Sequence, residues 1–340
     1  MQRGARALGL LATLAVLLTA LPGPQAASAA DDIVTDSGVT LEAIQVPTPD
    51  GAVHGRLGYI ADTTPTRLVV FAHGYGWTID AGWLHHMERT VRNDTAVVAT
   101  DFRDNLGFPV LRGAEDLIQA TLLAKERFPT IETVYLFGVS MGGAISGTAI
   151  VEAPRFNAGQ SLFDVWLDVE GVSMLHETYY EARAVGHAAA DGIERDAGGA
   201  FEEVPGEYLR RSPALRADEM AALGIEHTFL VHALNDGLVP YDQGREMAAA
   251  LVAAGVPTKF VTVTRDSPDQ TSGTTGTNAL FGAALGEDPN DTFGLDLAGH
   301  ASEADEHHPV MRTAFDALEA MLDGDYTPFT YTEAVVDDKL

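Results

Sequence analysis

The chain has 340 residues, 46% of them hydrophobic, enough for one large core or two modest domains. Its 49 acidic residues against 21 basic ones give a net charge of −28, so nucleic acid and anionic membrane surfaces are poor partners. There is no cysteine, which excludes disulfides, a cysteine nucleophile and thiolate metal sites, and leaves the core alone to hold the fold.

The first residues read as an export signal. Arg3 and Arg6 precede the apolar run Ala7 to Leu21, and "PGPQAASAA" follows as a small-residue cleavage site. The run is short for a membrane span. Cleavage is expected after Ala29 or Ala30, giving a secreted protein, extracellular or in the cell envelope, with no membrane attachment. Residues 31 to 62 read as irregular or edge strands around the turn signal "PDG".

From there strands and helices alternate. "RLVVFAHG" (67–74) is a short apolar, β-branched run, and "AGWLHHMERTVRN" has helical spacing. "TAVVATDF" is a second strand and "GAEDLIQATLLAKERF" an amphipathic helix. "TVYLFGVS" is a third strand, followed by the helix "MGGAISGTAIVEA". "FDVWLDVEG" and "HTFLVHALND" are the fourth and fifth strands. "YDQGREMAAALVAAG" is a helix with a glycine stop, "TKFVTVTR" a sixth strand, and "PVMRTAFDALEAML" the last helix. Continuous apolar strands between helices predict an α/β fold, a mostly parallel sheet covered on both faces, with its site at the carboxyl ends of the strands. Residues 31–340 are expected to form this one domain. Residues about 172–224 break the rhythm and read as a helical cap insertion. Residues about 265–299 read as a long polar loop.

Gly138-Val139-Ser140-Met141-Gly142 matches G-x-S-x-G. A sharp turn from strand to helix forces the serine into a strained conformation and requires small neighbours. Ser140 is the candidate nucleophile, and the backbone N–H of Met141 a candidate oxyanion donor. A serine needs a base and the base an orienting acid. Asp236, in "LVHALNDGLVP", follows the fifth strand and is the candidate acid; Glu170 and Asp168, at the end of the fourth strand, are its rivals. His300, in "LAGHASEAD", is the candidate base, with His307 and His308 read as surface or capping groups. "FAHGYGW" supplies the second oxyanion donor at the Tyr75 N–H, with His73 structural. Trp77, Met174 and Tyr179 are candidate pocket residues, beside Leu175 and Tyr180. Cap packing explains these apolar groups equally well.

The segments "HGYG", "GVSMGG", "NDGLVP" and "GH" occur in an order and spacing that resembles the α/β-hydrolase superfamily, from about Leu41 to Leu322. "EYLRRSPALRADEMAALGIEHTFLVHALNDGLVPYDQGREMAAAL" looks especially like the prolyl-oligopeptidase-like group and related esterases. The resemblance implies a Ser140–His300–Asp236 triad, hydrolysis through an acyl-enzyme and no cofactor. Two departures stand out: no β-propeller is expected before the domain, and Asp236 and His300 lie 64 residues apart. The expected function is hydrolysis of a small-molecule or polymeric carboxylic ester, as in a carboxylesterase or lipase. The alternatives are an exported aminopeptidase or oligopeptidase, and a non-catalytic binding relative. No resident metal is expected: Glu287, Asp288, Asn290, Asp291 and Asp296 cluster in the polar loop without EF-hand spacing, and read as solvated loop.

Overall fold

The computed structural model describes residues 31–105, 107–184, 186–234, 236, 238–264, 300, 308–326 and 331–336. The expected polar loop at 265–299, its acidic cluster and His307 lie outside them, as does the leader. Strands β1 (Ile33–Val34), β2 (Val39–Thr48) and β3 (Gly51–Ile60) come first. β2 and β3 pair antiparallel along their whole length, from Val39 opposite Ile60 to Thr48 opposite Gly51. This is more regular than the irregular or edge strands expected. Gly55 and Gly58 weaken the strand signal in sequence, but they let β3 lie close on its neighbour. A Cβ at either would meet Ala99 O at 2.8 Å or Val97 Cγ2 at 2.6 Å.

The six expected strands are all present: β4 (Arg67–Ala72), β5 (Thr95–Thr100), β6 (Thr133–Val139), β7 (Val165–Val169), β8 (His227–Ala233) and β9 (Thr258–Val263). They are mutually parallel. A further strand, β10 (Tyr331–Val336), runs parallel to β9 at the sheet edge and was not expected. It is short and lies beyond the last helix, where periodicity carries little weight. The sheet order is β1-β2-β3-β5-β4-β6-β7-β8-β9-β10.

Helices cover both faces. They are α1 (Ile79–Gly82), α2 (Leu84–Thr90), α3 (Val110–Arg127), α4 (Met141–Glu152), α5 (Leu175–Ala184), α6 (Ala188–Ala197), α7 (Pro205–Arg210), α8 (Ala217–Ala222), α9 (Tyr241–Ala253) and α10 (Pro309–Asp323). Strand alternation divides the core. In β4, Leu68, Val70 and Ala72 join the cluster under α3, α4 and α9, while Val69 and Phe71 join that under α2 and α10. Among the described residues, no helix is long and apolar enough to cross a membrane.

Helices α5 to α8 lie between β7 and β8, where the cap was expected. An ion cluster fastens them to the sheet domain. Glu152, at the end of α4, receives Arg155, Arg210 and Arg216 at 2.6 to 2.8 Å. Burial alone would raise its pKa, but the three guanidinium groups outweigh it and hold the carboxyl at about 2. A depressed carboxylate contributes stability above its unfolded pKa and loses it as pH falls through the folded value. Glu152→Gln is therefore expected to cost about 2 kcal/mol at pH 7, with the difference from wild type shrinking below pH 4. Chemical denaturation at both pH values measures it.

Candidate active site

Ser140 stands between β6 and α4 with φ 56° and ψ −120°, a region that side chains rarely occupy. The surrounding chain holds it there. Its N–H donates to Val169 O at 2.9 Å, and its own carbonyl accepts the N–H groups of Gly143 and Val172 at 2.9 and 3.2 Å. The glycines of the motif have steric reasons to be glycine. A Cβ on Gly138 would meet Ser146 Oγ at 2.3 Å, and one on Gly142 would meet Ala72 O at 2.0 Å. The second contact presses the turn onto the end of β4, where His73-Gly74-Tyr75 begins. The backbones that carry the two expected oxyanion donors, Met141 and Tyr75, thus belong to elements in direct contact.

His73 is wholly buried, with Nδ1 2.8 Å from Gly74 O and its ring stacked on Phe102 at 4.3 Å. Burial pushes its pKa down to about 4, so it is neutral and donates from Nδ1 to the carbonyl. Its place is a structural one, as expected.

Asp236 follows β8 and is buried. Oδ1 accepts the N–H groups of Leu238 and Val239 at 2.8 and 2.9 Å. Oδ2 lies 2.8 Å from His300 Nδ1 and 3.2 Å from His232 Nε2. Burial works to raise its pKa, but the two histidines overcome that and hold the carboxyl well below the usual carboxylate range. The expected acid and base are therefore hydrogen-bonded across 64 residues of chain. With Nδ1 facing a carboxylate, His300 carries its proton there, which leaves Nε2 as the basic nitrogen. His308 instead caps α10, accepting the Val310 N–H at 3.3 Å.

The rival acids divide. Asp168 faces α4: its carboxylate fills the space that a Cβ on Gly143 or Gly171 would occupy. Burial pushes its pKa up to about 7. A carboxyl raised in the folded state costs stability as pH rises from its unfolded value through the folded one. Asp168→Asn should thus match wild type near pH 4 and exceed it by a few kcal/mol above pH 8; denaturant midpoints across that range test this. Glu170, by contrast, reaches the histidine, with Oε2 3.5 Å from His300 Nδ1. Oxygens of Glu170 and Asp236 and a ring nitrogen of His300 lie within 4.8 Å of one another, a group able to hold a metal ion. Asp236 and His300 already bond each other through these atoms.

The expected pocket residues scatter. Tyr179 is a correction: it is wholly buried, T-shaped against Tyr208, with its hydroxyl on Glu194 at 3.1 Å. Leu175 is also buried, and Tyr180 is exposed with its hydroxyl on Glu202. Helices α5 to α8 turn Leu175, Tyr179 and Tyr208 into the core cluster they share with α3, α4 and α9, and spacing alone does not distinguish this from a pocket wall. Trp77 is half-buried with its ring over Gly82. Met174 is half-buried too, its N–H held by Gln243 at 2.8 Å. Two residues the sequence reading did not single out stand beside Tyr75: Phe108 at 6.0 Å and His187, the N-cap of α6, at 5.8 Å. Phe108 has φ 56°, in "GFP", where glycine and proline mark a turn. Nothing in sequence links His187 to Tyr75.

Residues 111–267 match the model of the prolyl oligopeptidase family. No curated protein matches the chain by sequence. Among solved structures, an acylaminoacyl peptidase of Pyrococcus horikoshii is 16% identical with a TM-score of 0.53, over 72% of this chain and 40% of its own. A puromycin-hydrolysing peptidase of Mycobacterium tuberculosis is 20% identical with a TM-score of 0.51, over 65% and 35%. A carboxyl esterase of the fungus Tuber melanosporum is 19% identical with a TM-score of 0.50, over 66% and 76%. The chain thus spans well under half the length of the two peptidases.

Proposed function

We propose that this chain, an α/β-hydrolase close to the prolyl-oligopeptidase-like group, cleaves carboxylic esters through an acyl-enzyme on Ser140. The family match and the fold support a serine hydrolase. Ser140 as nucleophile, His300 as base and Asp236 as orienting acid are our assignment. Two observations support it: the His300–Asp236 bond of 2.8 Å, and a serine held at φ 56° in the turn after β6. In the proposed reaction His300 takes the Ser140 proton as the hydroxyl attacks the carbonyl carbon. The Met141 and Tyr75 N–H groups hold the oxyanion. His300 then returns the proton to the leaving alcohol, and water repeats the sequence to release the acid.

The aromatic pair Tyr75 and Phe108, 6.0 Å apart beside the proposed Tyr75 oxyanion donor, supports an ester with an apolar acyl group. The second reading, cleavage of a peptide or aminoacyl amide, is favoured by the family match. Nitrophenyl esters of short to long acyl chains, beside aminoacyl and prolyl nitroanilides, separate the two. Turnover of the esters with little on the anilides is expected. The reverse preference moves the function to the peptidase reading. Export is also part of the proposal, supported by the leader sequence; a secreted product beginning at Ala30 or Asp31 is expected on N-terminal sequencing.

A further inference from the structure

We propose that Glu170 is a second carboxylate orienting His300, so that the imidazole is held by a pair of acids rather than by Asp236 alone. This rests on the assignment of His300 as base.

Glu170 sits just past β7, wholly buried, with Oε2 3.5 Å from His300 Nδ1. It is not a glycine, yet its φ is 49°. Such strain persists only where the surroundings impose it. Here the Glu170 N–H donates to Val231 O at 2.9 Å, and Oε1 accepts the Ala233 N–H at 3.0 Å. These bonds aim the second oxygen across the end of β8 toward the histidine.

The chemistry gives that oxygen a use. Asp236 Oδ2 bonds His300 at 2.8 Å and lies 3.2 Å from His232 Nε2, which bonds Val239 O at 2.9 Å, while Oδ1 serves two backbone amides. Among the described residues, the groups facing His300 Nδ1 are thus Glu170 from the end of β7 and Asp236 from the turn after β8, with His232 of β8 behind. When His300 takes the serine proton it becomes a cation. A second carboxylate on its Nδ1 side stabilises that cation and offers the Nδ1–H another acceptor. The plainer role, holding the Ala233 N–H, needs only an oxygen, which glutamine supplies equally well.

Glu170→Gln keeps the shape and removes the charge. The experiment measures kcat, KM and the pH dependence of kcat/KM for wild type, Glu170→Gln, Asp236→Asn and the double variant. Competent sites are counted with a fluorophosphonate label. Glu170→Gln is expected to lower kcat about tenfold with KM unchanged, and to move the acid midpoint to lower pH, because the imidazolium loses a neighbouring charge. Asp236→Asn is expected to lose about 10²-fold, and the double variant to approach the loss of about 10⁴-fold seen where a lone acid is removed. A loss of about 10⁴-fold in Asp236→Asn alone, with none further in the double variant, overturns the proposal. If Glu170→Gln does not fold, the size of the Asp236→Asn loss decides between the two. A wild-type chain that neither turns over ester or anilide nor takes up the label removes the serine reading itself, and this inference with it.

Discussion

Ser140→Ala is expected to lower kcat by about 10⁵-fold or more, leaving only what the oxyanion donors and binding contribute. The protein should still fold, because alanine adds no atom to a site that is 8% exposed. Alanine keeps the strain, however, since the penalty at φ 56° comes from the Cβ and both residues have one. Ser140→Gly removes it. The glycine variant should be equally inactive yet more stable than the alanine variant by about 1 kcal/mol. The pair separates two properties of one position, the hydroxyl that reacts and the backbone that presents it. Turnover by either variant within tenfold of wild type would mean that Ser140 is not the nucleophile. Equal melting of the two would mean that the turn stores no strain.

Gly142→Ala should do comparable damage without touching a reacting group. The new methyl would lie 2.0 Å from Ala72 O and 2.8 Å from His73 O. Both atoms are backbone, so no rotamer relieves the clash. Either the serine turn lifts or the end of β4 moves, and both displace the two proposed oxyanion donors relative to each other. A shift of about 1 Å at such a site costs about 10²-fold in rate. The forced repacking should also cost about 3 kcal/mol. Gly206→Ala is the control. Gly206 lies in α7 with nothing within 4 Å of an added Cβ, so that variant should gain about 0.5 kcal/mol at wild-type activity. Thermal melts and kcat of the two variants test the contrast. Gly142→Ala melting like wild type would show that the serine turn and β4 are not in close contact.

The six parallel strands and the G-x-S-x-G turn were legible in the sequence because their causes are local. Apolar runs such as "RLVVF" report burial on both sheet faces, and the glycines at 138 and 142 report a turn with no room for side chains. Asp236 and His300 were legible as candidates from their places after strands. The bond between them was not, since it closes across 64 residues. What only the tertiary structure decided is which side chains meet. Asp168 and Glu170 are near neighbours in sequence, yet one fills a gap under α4 and the other reaches the histidine. Tyr179 has the spacing of a pocket residue but is spent on the core that α5 shares with α3 and α4. β3 tolerates two glycines because β5 lies against them, and β10 forms because β9 offers it a free edge. Periodicity and turn sterics act between neighbours along the chain. Burial and pairing act between residues that only the completed fold brings together.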